Sequence, residues 1–198
     1  MFLFKKPPEP EIERFASSQS DLPFSYAEVG GTRGEAPRGY VVDRYRVKLG
    51  EGEEAYDRAK DALRSWRQFS LGWVSLHPRG APIKTGTTVA VLASHAGLWS
   101  LNSARIVYLV EEGDDVQRFG FAYGTLPGHA ERGEERFLVE YDLRSGAVFY
   151  EVLAFSHPNH LLAWLGYPFA RLLQRRFARD SKEAMKRAVA LATLQRDG

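Results

Sequence analysis

Cysteine is absent from this 198-residue chain, which excludes disulfides, thiolate metal ligands and a cysteine nucleophile. Long apolar runs are absent as well; no stretch approaches the roughly 18 consecutive apolar residues that a membrane-spanning helix needs. The start, Met1-Phe-Leu-Phe-Lys-Lys-Pro-Pro8, holds an apolar run too short for a secretory signal, and its charge follows that run instead of preceding it. Neither charge sign is in excess. The 27 Lys and Arg against 25 Asp and Glu leave a net charge of +2, too little to point to a nucleic-acid partner. Neither Ser94-His95 nor Ser156-His157 lies in a Gly-x-Ser-x-Gly setting, and neighbours on a strand face opposite ways, so neither pair forms a relay. Gly30-Gly-Thr-Arg-Gly34 lacks the Lys-Ser/Thr ending of a phosphate loop. These absences set the expectation of a soluble, cytoplasmic protein without a transmembrane segment, nucleic-acid partner or cofactor.

The residues present describe a globular domain. A hydrophobic share of 44% and a charged share of 26% are ordinary for one, and the length fits a single domain. Prolines 7, 8, 10, 23 and 37 break up residues 1–39, which read as an irregular N-terminal arm with room for a short helix near 11–17. Residues 39–50 alternate as a first strand, with Val41, Tyr45, Val47 and Leu49 on the expected core face. Over 53–69 the period becomes helical through Ala55, Ala59, Ala62, Leu63, Trp66 and Phe69. Strands are then expected near 73–77, 86–94, 103–112, 116–126, 133–142 and 147–156, joined by short turns that imply an antiparallel meander. Pro158 is expected to open a long helix to about Gln195, with a break near Gly166-Tyr167 before Pro168. Its apolar stripe runs through Leu161, Leu165, Phe169, Leu172, Leu173, Phe177, Ala184, Met185, Ala188 and Ala192.

Strand, helix, six strands, long helix is an α+β order in which a bent antiparallel sheet of about seven strands packs on a C-terminal helix. It resembles the helix-grip fold of the START and Bet v 1-like superfamily, which implies residues 40–198 as one such domain with a cavity between sheet and helix. A closer resemblance rests on Ala62-Leu-Arg-Ser-Trp66, Gly72-Trp-Val, Gly86-Thr-Thr-Val-Ala-Val, Gly120-Phe-Ala-Tyr-Gly-Thr-Leu-Pro-Gly-His129, Gly133-Glu-Glu-Arg-Phe and Ala154-Phe-Ser-His-Pro158. Over about residues 26–190 these segments are similar to the DUF1990, or UPF0548, family. That resemblance implies kinship and transfers no catalytic residue.

The richest stretch for chemistry is the turn between Gly120 and Glu140. It carries His129, Glu131, Glu134 and Glu135, residue types that ligate metals. Four ligands from one short loop do not converge readily, so no metal site is expected; Arg132 and Arg136 are the expected local partners of these carboxylates. Alternation puts Glu135 on a face with Phe137, Val139 and Tyr141, and Glu151 with Phe149, Leu153 and Phe155, which makes both candidates to point inward, although Tyr150 and Val152 offer a competing apolar face on the last strand. Arg105, between Ala104 and Ile106, is the expected partner of one of them, since a buried carboxylate needs pairing or protonation. Tyr123, Trp73 and Trp99 are expected to line an apolar cavity with a few polar groups. The candidate ligand contacts are therefore Arg105, Tyr123, Glu135, Glu151, His129 and Trp99, and the expected partner is a small hydrophobic molecule. An enzyme on the same scaffold, with Glu135 or His129 as general acid or base, is the second reading. A protein-interaction module without a small ligand is the third. The basic residues 171–187 of the last helix read as the solvated back of a core helix, with Asp180 and Glu183 interspersed.

Overall fold

The computed structural model describes residues 1–158 and 167–194. The elements in chain order are β1 (Phe2–Leu3), α1 (Glu9–Gln19), a 3-10 turn (Gly31–Arg33), β2 (Val41–Glu51), α2 (Gly52–Arg64), a second 3-10 turn (Arg67–Phe69), β3 (Val74–His77), β4 (Thr88–His95), β5 (Leu98–Gly113), β6 (Val116–Thr125), β7 (Glu131–Asp142), β8 (Ala147–Pro158) and α3 (Tyr167–Leu194). Seven strands pair in the order β2-β8-β7-β6-β5-β4-β3, every pair antiparallel, and the short β1 adds to β5. The meander thus has one long-range closure, in which β2 crosses the sheet to lie beside β8.

Alternation along these strands sorts the sequence into two faces. The concave face presents Val47 and Leu49 from β2, Val89 and Ala93 from β4, Ala104 and Ile106 from β5, and Phe119, Phe121 and Tyr123 from β6. Phe137 and Val139 from β7 and Val148, Tyr150 and Val152 from β8 complete it. Two helices cover that face: α2 through Ala55, Tyr56, Ala59, Ala62 and Leu63, and α3 through Phe177, Met185, Ala188 and Val189. The convex face carries a smaller core, where Ile12 and Ala16 of α1 pack on Ala90, Leu92 and Leu101. A one-residue shift between Ile106 and Tyr108 turns Tyr108 to the convex side.

Several expectations are corrected. α2 stops at Arg64, because Trp66 takes a left-handed backbone (φ 54°) and opens the 3-10 turn that carries Phe69 into the core. Trp66 is buried nonetheless, and its indole N–H donates to the Ala81 carbonyl at 2.8 Å. β5 begins at Leu98, five residues early, because Ala96 (φ 49°) and Gly97 (φ 80°) fold β4 and β5 into a tight hairpin. Pro158 is the last residue of β8, opposite Glu131, and the helix is described from Tyr167 with Pro168 in its first turn. Gly166, Leu161 and Leu165 lie outside the described residues. Leu172 is 62% exposed and off the apolar stripe, which passes through Leu173, Phe177, Ala178, Ser181, Ala184 and Met185. The arm is more regular than its prolines suggest, since α1 spans eleven residues.

Candidate functional site

Where the sheet curves away beneath the start of α3, the concave face leaves a hollow of about 300 Å³. Its apolar wall is built by Phe69, Trp73, Val74, Val91, Val152 and Phe177. Polar groups collect on the β7 side. Tyr123 and Glu135 sit directly opposite on β6 and β7, and the Tyr123 hydroxyl donates to Glu135 Oε2 at 2.7 Å. Two positions before Gly133 on the same face, Glu131 accepts from Gln174 Nε2 at 2.5 Å, and that amide also donates to Ser156 Oγ at 3.1 Å. Asp43 of β2 is clamped by both guanidinium nitrogens of Arg171, one at 2.7 Å. His129 Nδ1 accepts the Glu131 amide at 3.0 Å. On the far wall, His95 Nε2 and Ser100 Oγ are 3.1 Å apart.

Burial dominates the electrostatics. It pushes Glu135 up to about 7, against the Tyr123 hydrogen bond, and the negative charges of Glu131 and Asp43 add to the rise. Glu131 is raised by the same burial, with Gln174 and Arg171 opposing it. His129 is lowered by burial to about 4 and stays neutral at pH 7. His95 is also lowered, by burial first and then by Arg176. Tyr123 and Tyr150 are both raised by burial and remain neutral phenols. The site therefore holds a carboxyl poised to ionise near neutrality, next to a permanently protonated phenol.

Of the residues singled out in the sequence, Tyr123, Glu135, His129 and Trp73 meet at this hollow. Arg105, Trp99 and Glu151 do not, and each is displaced by strand parity. Arg105 lies opposite Gly124 on the convex side, where its guanidinium donates to the carbonyls of Ser20 (2.6 Å) and Leu22 and covers the Phe24 ring. Trp99 packs with the convex cluster, beneath the ammonium of Lys6. Glu151 is 1% exposed but on the convex face, held between Arg44 (2.6 Å) and Arg136 (2.9 Å). The competing apolar face of β8, with Tyr150 and Val152, is the one that turns inward.

Glu134 faces away from Glu131 and Glu135, so the turn's ligating residues split between two faces. Its carboxylate accepts from Tyr26 Oη (2.7 Å), Gly30 N (2.7 Å), Thr32 N (2.9 Å) and Thr32 Oγ1. This carboxylate anchors the N-terminal arm to the sheet. Arg136 likewise serves Glu151 and the Thr32 carbonyl, not the carboxylates of its own turn. Asp43 and Gln174 are not singled out in the sequence, and Arg171, read there as part of the solvated back of the last helix, instead turns to Asp43, which lines the hollow, and pairs with it. Asp43 was visible as a carboxylate in phase with Tyr45, Val47 and Leu49. Arg171 and Gln174 are one turn apart near Leu173 and Phe177, and only the docked helix reveals their role.

A curved antiparallel sheet closed around a long C-terminal helix defines this molecule as a helix-grip protein. The family model "Domain of unknown function (DUF1990)" matches residues 25–184, and the chain belongs to that family. A UPF0548 protein of Dictyostelium discoideum is 37% identical over 208 residues, covering 96% of each chain. One from Deinococcus radiodurans is 39% identical over 201 residues, covering 95% of this chain and 98% of its own. Among solved structures, TTHA0849 from Thermus thermophilus matches with a TM-score of 0.51 at 15% identity, over 77% of this chain and 99% of that one. That likeness is of fold. Among the described residues, no helix is long and apolar enough to cross a membrane.

Proposed function

We propose that the protein binds a small, largely apolar molecule in the hollow between the sheet and α3, with Tyr123 and Glu135 as its polar contact. The observation that carries this is the pairing of an apolar hollow of about 300 Å³ with a carboxyl that has no ion-pair partner among the described residues. A buried carboxyl without a counter-charge costs stability, whereas a few convergent polar groups in an apolar concavity suit a ligand site. The volume is at the low end of such sites, which favours a compact ligand. A fluorescence titration with Nile red, a neutral apolar dye, tests this. One dye per chain should bind, and Ala154→Phe, which fills the hollow beside Glu135, should abolish binding while the fold persists by circular dichroism. Equal binding by that variant would place the dye elsewhere and sink the proposal.

One observation favours an enzyme on the same scaffold: Glu135, raised to about 7, is suited to exchange protons at neutral pH. His129 is the weaker candidate for that role, since it stays unprotonated until about pH 4. Chemical conversion of a bound ligand that stops in Glu135→Gln, with binding retained, separates this reading from simple binding.

A further inference from the structure

The charges around the hollow do not balance. Asp43 is matched by Arg171. Glu131 and Glu135 have no ion-pair partner among the described residues, and their hydrogen bonds come from an amide and a phenol. The lining histidines add no cation near neutrality, because burial lowers both His129 and His95. The sequence of residues 159–166, which leads into α3, contains neither Lys nor Arg, and His160 is its one ionisable residue.

We propose that the molecule held in the hollow is a cationic amphiphile, a protonated amine on an apolar body, with its ammonium seated against the Glu135 carboxylate in the field of Glu131. This rests on the ligand-binding reading above and specifies the ligand's charge. A neutral ligand supplies no counter-charge, so the half-buried Glu135 carboxyl would keep its proton beside it. An anionic ligand adds a further negative charge beside Glu135, Glu131 and Asp43, where the local dielectric makes like charges costly. An ammonium supplies both the missing charge and up to three donors, and charge-assisted bonds of this kind are the strong ones. Phe69, Trp73 and Phe177 line the hollow and give aromatic surface to the ligand's apolar body.

Binding an ammonium moves a proton. The Glu135 carboxyl is partly protonated near neutrality; it gives its proton to the buffer as the ammonium arrives, and the ammonium keeps its own. The groups facing Glu135 do not mask this. Tyr123 from β6 and Tyr150 from β8 stay protonated, and Asp43 from β2 is held by Arg171 from α3. Burial lowers His129 to about 4 and lowers His95 as well, with Arg176 adding to the fall, so both favour the neutral ring at pH 7. Glu131 on β7 is raised by burial too, so among the described residues it is the other carboxyl facing Glu135 whose proton the ammonium would tend to displace.

Isothermal titration of the full chain with octylammonium, octanol and octanoate, in two buffers of different ionisation enthalpy, tests the inference. Octylammonium is expected to bind about tenfold or more tighter than octanol. It should release protons at pH 7 and weaken as pH falls from 8 to 6, while octanol binding stays constant. Glu135→Gln should erase the amine's advantage over octanol and the proton release, and an unchanged circular dichroism spectrum would show that the variant is folded. Glu131→Gln should reduce the advantage only in part. Octanoate binding as tightly as octylammonium, or an advantage that survives Glu135→Gln, would overturn the charge assignment and leave the ligand-binding reading standing. If none of the three binds, that reading falls, and this inference falls with it.

Discussion

Two carboxyls one residue apart on β7 have opposite fates. Glu134 is 2% exposed and accepts four hydrogen bonds from the arm. Glu135 faces the hollow and accepts one from Tyr123. Truncating Glu134 would remove the acceptor of two backbone amides and of the Tyr26 hydroxyl at once, while the Thr32 hydroxyl would keep its bond to Tyr108 at 2.7 Å. Glu134→Ala is expected to cost roughly 3 kcal/mol, and the Gly30 and Thr32 amides should lose their protection in hydrogen exchange. Retained protection would show that the arm is held by other contacts. Glu135 should behave in the opposite sense. Its folded-state value of about 7 lies above the ordinary carboxyl value, so the folded state binds this proton more tightly than the unfolded chain does. The stability it contributes is present at low pH and lost as pH rises towards and through 7. Glu135→Gln is therefore expected to stabilise the protein at pH 8 by on the order of 3 kcal/mol and to change it little at pH 4. Urea denaturation at the two pH values checks this; equal shifts at both would contradict it.

At the scale of elements, the Gly120–His129 segment explains its own composition once the arm is in place. A methyl group at Gly124 would collide with the Tyr26 hydroxyl, and one at Gly128 would come within 2.7 Å of the Phe15 ring. These glycines give the arm a bed on the convex face, while Phe121 and Tyr123, just before them on β6, point into the core. Gly124→Ala is expected to cost about 1–3 kcal/mol through overpacking and to speed proteolytic cleavage in residues 20–39; unchanged cleavage would mean that the arm adapts. Alternation was legible in the sequence wherever one face is clearly apolar. It placed Glu135 inward with Phe137 and Val139, and Tyr45 inward with Val47. It misled at β8 because both faces are apolar: one packs on the helices and the other lies under Tyr26 of the arm and Tyr40, which follows it. The same double covering hid Arg105, whose partners are backbone carbonyls more than eighty residues away. No local pattern encodes such partners. The strand order, set by short hairpins, was readable; the closure of β2 on β8 and the seating of Arg171 and Gln174 over the hollow were not, because they are tertiary.

For the molecule as a whole, the sheet is covered on both sides, and the two coverings do different work. The arm, with its helix α1, seals the convex face through hydrogen bonds to Glu134, glycine beds and a small apolar cluster. On the concave face, α2 and the later turns of α3 pack into the main core, while the first turns of α3 bridge the hollow through Leu173, Gln174 and Phe177. The basic residues of α3 are largely engaged at its flank: Arg176 lies over Trp73 and pairs with Asp180, and Lys186 pairs with Glu183. Filling the hollow should stabilise the fold even as it removes the site. Ala154→Phe is expected to leave Tm unchanged or higher, whereas a large fall would mean that the space is already occupied by the protein's own side chains. The most direct test of the central claim is a crystal structure of the full chain purified without lipid stripping. The account predicts ligand density between Trp73, Phe177 and Glu135, with the sheet and α3 apart as described. Closure of α3 onto the sheet, with Phe177 and Trp73 filling the space beside Glu135, would contradict it.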